Sequence, residues 1–124
     1  MRVPVLLVLC MLMARICCGQ SVEKASRPGS DLQQLYEAAQ RAQSNGDLAH
    51  AAQDYQGFLV TALRHLAEGH VHAGDYPGGA KLFDEALAVM PERAATDLHL
   101  AYAQAALLAR DIPTAKVQAQ AVVT

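Results

Sequence analysis

Three side chains on one stretch offer the clearest coordination chemistry in this 124-residue chain: His65, Glu68 and His72 recur at i, i+3 and i+7. On a helix that spacing places all three on one face. Two imidazoles and a carboxylate together suit Zn²⁺ or another transition ion. The set stops short of a site, because no His-Glu-x-x-His spacing exists, no fourth ligand is evident and His70 falls well off the face. A three-residue match without its structural context is usually chance. The reading adopted is a solvated helical face with His65 and Glu68 paired, and neither metal nor any other cofactor is expected.

The remaining reactive types are no better arranged. Asp84 and Glu85 are adjacent, so a helix points them to different sides, and no two carboxylates converge for general acid–base work. Serines and threonines lie in a linker or at helix caps, outside any Gly-x-Ser-x-Gly setting. Gly78-Gly79 lacks the Gly-Lys-Ser/Thr of a phosphate loop, and Gly79 reads instead as a small position where two helices touch. Cys10, Cys17 and Cys18 all lie within the first 19 residues, so the rest of the chain has no thiolate, disulfide or cysteine–zinc chemistry. A non-catalytic protein is expected.

Those first residues read as a secretory signal. A charge at Arg2 precedes an apolar run from Val3 to Ala14, and Cys17-Cys18-Gly19 supplies small residues before a cleavage site after Gly19. Arg15 interrupts the run before it reaches the length of a membrane span, although an uncleaved membrane anchor is the alternative. An exported protein, periplasmic or extracellular, is expected. Residues 20–30 are polar and broken by Pro28-Gly29, as in a flexible linker. Beyond residue 19 there are 8 basic and 12 acidic side chains, a net charge of −4 without a basic run. Such a chain has no electrostatic footprint for nucleic acid or anionic lipid.

Helices must position whatever surface the chain presents. Residues 31–124 carry apolar stripes at helical spacing, punctuated by one recurring turn: Asn45-Gly46-Asp47-Leu48, Ala73-Gly74-Asp75-Tyr76 and Ala109-Arg110-Asp111-Ile112. Glycine there ends one helix in the left-handed conformation and aspartate caps the next. Ser30 with Gln33 suggests a capping box opening the first helix. Pro77 and Pro113 fall in first turns, where a missing N–H costs nothing, and Pro91 is a stop. Hairpins repeated in this way stack on one another, so the fold class expected is all-α, an α-solenoid of about two and a half to three helical hairpins.

The pattern resembles the tetratricopeptide repeat family. The second unit carries the resemblance best, through Ala67, Gly74-Asp75-Tyr76, Gly79-Ala80, Phe83, Ala86-Leu87 and Pro91. The first matches through Ala39, Gly46-Asp47-Leu48, Ala51, Tyr55 and Leu59. The third matches through Ala103, Asp111-Ile112 and Ala115, with Arg110 in place of glycine and Ala119 in place of the aromatic. The resemblance implies a protein or peptide partner held on a concave face formed by the first helix of each unit. Projected onto this chain, that face carries Gln33, Tyr36, Gln40, Arg64, Glu68, His72, Leu100 and Gln104.

One departure shapes the architecture. Gly46 and Gly74 stand 28 residues apart, short of the family's 34, whereas Asp75 and Asp111 stand 36 apart. The missing residues fall near Val60-Thr61, where no turn former occurs and Leu48, Ala52, Tyr55, Leu59, Ala62 and Leu66 stay in helical phase. One fused helix over residues 47–72 is therefore predicted, in preference to a tight reversal near Val60-Thr61. It would leave apolar surface for a partner or for a second copy of the chain. The function expected is an exported, non-catalytic interaction module. The alternatives are an accessory N-terminal repeat portion of a larger exported enzyme and a self-associating structural protein.

Overall fold

The computed structural model describes residues 28–91 and 94–124. The secretory signal expected over residues 1–19 and most of the linker expected over 20–30 lie outside the described residues. The fold is all-α. Five helices follow in order among the described residues: α1 (Pro28–Ser44), α2 (Leu48–His72), α3 (Tyr76–Val89), α4 (Thr96–Leu108) and α5 (Ile112–Val123). None is long and apolar enough to cross a membrane.

The recurring turn is built three times with the same bonds. Gly46, Gly74 and Arg110 adopt φ of 79°, 86° and 61°. At each, the following aspartate N–H reaches back to a helix carbonyl: Asp47 to Ala42 at 2.9 Å, Asp75 to His70 at 2.8 Å and Asp111 to Ala106 at 2.8 Å. These bonds satisfy carbonyls that the end of a helix would otherwise orphan. The aspartate then caps the next helix, its Oδ1 accepting the backbone N–H of His50 at 3.1 Å, Gly78 at 3.0 Å or Thr114 at 3.2 Å.

Two element boundaries differ from the sequence reading. α1 begins at Pro28, so Pro28-Gly29 belongs to the helix and Ser30 lies inside its first turn. Proline is well suited to a first helical position, which makes it a start signal here. Gln33 bonds forward to Glu37 at 2.9 Å instead of back into a capping box. α3 closes at Val89, ahead of the Pro91 stop: Met90 is extended, with φ −89° and ψ 138°, because the ring of Pro91 disfavours a helical residue ahead of it.

The 25 residues of α2 form one uninterrupted helix across Val60-Thr61. Both neighbours pack antiparallel to it. α1 lies along its first half, where Tyr55 OH donates to Gln43 at 3.0 Å and Tyr36 meets the rings of Tyr55 and Phe58 at 6.2 and 5.8 Å. α3 lies along its second half: a Cβ on Gly79 would stand 2.8 Å from the Ala67 carbonyl oxygen, and Gln56 bonds the Val89 carbonyl at the far end. The core joins Val60, Ala67, Phe83 and Ala86 to Leu98, Ala101, Tyr102 and Ala105 of α4. The Phe83 and Tyr102 rings stack at 4.9 Å and 11°. α5 folds back on α4, with Ala115 buried and Gln118 2.7 Å from His99.

Candidate interaction surface

The continuous helix redistributes the expected concave face. On α1, Gln40 donates to the Tyr36 hydroxyl at 3.0 Å, and the half-exposed Tyr36 ring leans on Tyr55 and Phe58. On α2, Arg64 donates to Glu68 at 2.9 Å, His65 lies 3.9 Å from Glu68, and His72 is exposed. On α4, Leu100 and Gln104 are exposed. At about 100° per residue, Arg64 stands about 120° or more around α2 from both Tyr55 and Phe58. Tyr36 and Arg64 thus address different sides of α2. Gln40 lines a shallow hollow with Glu37, Arg41, Ser44 and Asn45, whereas Arg64 lines a separate groove.

That groove is more enclosed than the hollow at Gln40. Two adjoining hollows, about 280 and 330 Å³, share Val60, Met90 and Ala94 as a common floor. Leu35 and Gly57 extend the floor at one end, and Leu98 at the other. The rim is polar and carries charge: Asp54 on one hollow, and Asp31, Asp97 and Arg64 with the His65 ring on the other. Such a recess can accept an apolar side chain below and polar or cationic groups at its edge, the usual make-up of a recognition pocket. Asp31 and Asp97 escaped the sequence reading, since each sits in the first turn of its own helix. Their place beside the hollow that Arg64 lines depends on where α1 and α4 come to rest against α2, and no spacing in the chain carries that signal.

The capping aspartates form the other electrostatic feature. Asp47 is held below the ordinary carboxylate value by the His50 backbone N–H and then by the His50 ring, 2.6 Å from Oδ2. Asp75 is lowered first by His70, 2.7 Å away, and then by the Gly78 N–H. Asp111 is lowered first by Thr114 and then by the Tyr76 hydroxyl, which donates to it at 2.9 Å. The last bond ties the start of α3 to the end of α4. Burial pushes the Tyr76 phenol up, with Asp111 adding to it, and burial followed by the charge of Asp84 pushes Tyr102 up to about 12.

Among the described residues no cluster of three or more His, Cys, Asp or Glu side chains is arranged to hold a metal ion. Glu68 is engaged by Arg64. No known protein family, curated protein or solved structure matches this chain.

Proposed function

We propose that this chain is an exported, non-catalytic interaction module of tetratricopeptide type, a short α-solenoid that holds a peptide. Residues 1–19 serve as its secretory signal. The peptide lies in the groove between the head of α1 and the α3–α4 connection, a recess related to the expected concave face through Arg64 alone. The observation that supports this reading is the joined pair of hollows over Val60, Met90 and Ala94, edged by Asp31, Asp54, Asp97 and Arg64. An apolar side chain fills the floor, and a neighbouring Lys or Arg of the peptide meets the aspartates. Affinity rests on shape and a few polar contacts, so it is modest for a single site.

Selection of peptides on the purified chain, followed by titration of the best binder, tests the reading. Enriched peptides should pair an apolar residue with a basic one. Asp31→Lys combined with Asp97→Lys should weaken their binding at least about tenfold while leaving the helical circular dichroism unchanged, since tenfold needs only about 1.4 kcal/mol. Equal binding by the double variant would remove the groove from consideration.

A further inference from the structure

The opposite side of α2 is apolar and bare. Leu48, Leu59 and Leu66 are 69%, 45% and 53% exposed, and Ala52, Gly69 and Ala73 are exposed beside them. With Tyr55 and Ala62 they form one stripe along the full helix, and none of these eight residues is charged. Arg64 and Glu68, on the groove side, stand about 140° and 180° around the helix from Leu59. This face is therefore distinct from the peptide groove, and its role is independent of whether the groove holds a peptide.

The chain itself displays how such a stripe is covered. In α3, Tyr76, Ala80, Phe83 and Leu87 follow the capping Asp75 and are packed by Leu98, Ala101, Tyr102 and Ala105 of α4. The two helices run antiparallel, as the bond from Tyr76 to Asp111 requires, and the Phe83–Tyr102 stack sets their register. One turn either way then brings Leu87 opposite Leu98 and Ala80 opposite Ala105. Moving the α3 positions back by the 28-residue spacing of the first two turns gives Leu48, Ala52, Tyr55 and Leu59. Moving the α4 positions back by the 36-residue spacing of the last two gives Ala62, His65, Leu66 and Gly69. Counterparts of both halves of a second hairpin–hairpin contact are thus present on α2 without a hairpin laid over them: Leu48, Leu59 and Leu66 are exposed and Ala62 is half-buried, while Tyr55 is half-buried against Tyr36 of α1. Apart from His65, which stands about 120° around from Leu59 on the groove side, they lie on one face of one straight helix and cannot reach each other within a chain.

We propose that two copies of the chain supply these halves to each other. The α2 helices pair antiparallel about a two-fold axis crossing them between positions 60 and 61, so that the first hairpin of each copy covers the second hairpin of the other. Transferred from the observed stack, the register sets Tyr55 against the partner copy's Leu66 position, Leu59 against its Ala62 position and Ala52 against its Gly69 position. Two of the three contacts have a very small residue on one or both sides, which lets the helix axes approach closely. A stripe about 37 Å long and 10–12 Å wide buries about 800 Å² over both copies, below the roughly 1,200 Å² of stable complexes and in the range of weak, transient ones. The dimer is therefore reversible and depends on concentration. The arrangement is a reciprocal exchange of hairpins, an inexpensive route to two-fold symmetry.

Sedimentation equilibrium of the full chain under reducing conditions, across a concentration series, tests this. The wild type should show a monomer–dimer equilibrium. Leu59→Glu and Ala62→Lys, each alone, should weaken it more than about tenfold, because each buries an unpaired charge twice in a symmetric dimer. Mixing the two variants should restore association, since position 59 of one copy then faces position 62 of the other with opposite charge. Arg64→Glu, on the groove side, should leave the equilibrium unchanged. Circular dichroism of each variant establishes that the helices persist. A wild type that remains monomeric overturns the proposal and leaves the face to a different protein. So does a dimer indifferent to Leu59→Glu, or a mixture that fails to recover.

Discussion

Arg110 sits at φ 61°, in the place that Gly46 and Gly74 take at 79° and 86°. A side chain in the left-handed region costs about 1 kcal/mol against glycine, because its Cβ crowds the neighbouring carbonyl. Arg110→Gly should accordingly raise the free energy of unfolding by about 0.5–1 kcal/mol in a denaturant titration, and Gly74→Ala should lower it by about 1–2 kcal/mol. Nothing stands within 4 Å of a Cβ built at Gly74, so its effect would be a pure backbone one. Detail at this scale is largely legible in the sequence. A left-handed helix end and an aspartate cap are local devices set by two or three consecutive residues; all three aspartates cap as expected, and the third turn keeps the left-handed conformation although Arg110 replaces the glycine. Gly79 is legible as well, since the place where Ala67 and Val71 crowd it carries the least bulky residue available.

Helix α2 shows where local reasoning stops. Its continuity follows from an absence of turn formers and from a stripe that keeps phase through Val60-Thr61. Thr61→Pro should therefore destabilise the protein by about 3 kcal/mol or more, losing a backbone bond in mid helix and clashing with the preceding turn. A thermal melt followed by circular dichroism would register the loss, whereas a chain reversal at that point would accept the proline. The same stripe does not face the core. Ala51, Val60 and Ala67 are the buried residues of α2, while Leu48, Leu59 and Leu66 look outward. Periodicity reports that a helix has an apolar side, but not which neighbour arrives to cover it. A helix clasped on two sides by α1 and α3 can leave its most regular stripe unclaimed.

Five shifted groups should make the assembled molecule respond to pH at both extremes. The folded values of Asp47, Asp75 and Asp111 lie below the unfolded value of 3.8, so their stabilisation is present above that pH and is lost as pH falls through the lowered values. Tyr76 and Tyr102 shift the other way from 10.0, Tyr102 to about 12, so their contribution holds below pH 10 and is lost as pH rises through the folded values. Denaturant titrations across pH should thus show a plateau for these groups from about 4 to 10. Asp111→Asn should soften the acid limb and Tyr102→Phe the alkaline one. An acid limb unchanged when all three aspartates are replaced by asparagine would contradict the assignment.

The order of helices, the three aspartate caps and the single long rod can all be read from consecutive residues, because each depends on bonds made within a few positions of the chain. The groove and the bare face cannot. Asp31, Arg64 and Asp97 come to line one hollow, and Tyr36 and Arg64 part, according to how far α1 and α3 slide along α2 and on which sides they settle. That choice balances burial over whole helix faces, a sum over many distant pairs that no short stretch of sequence encodes.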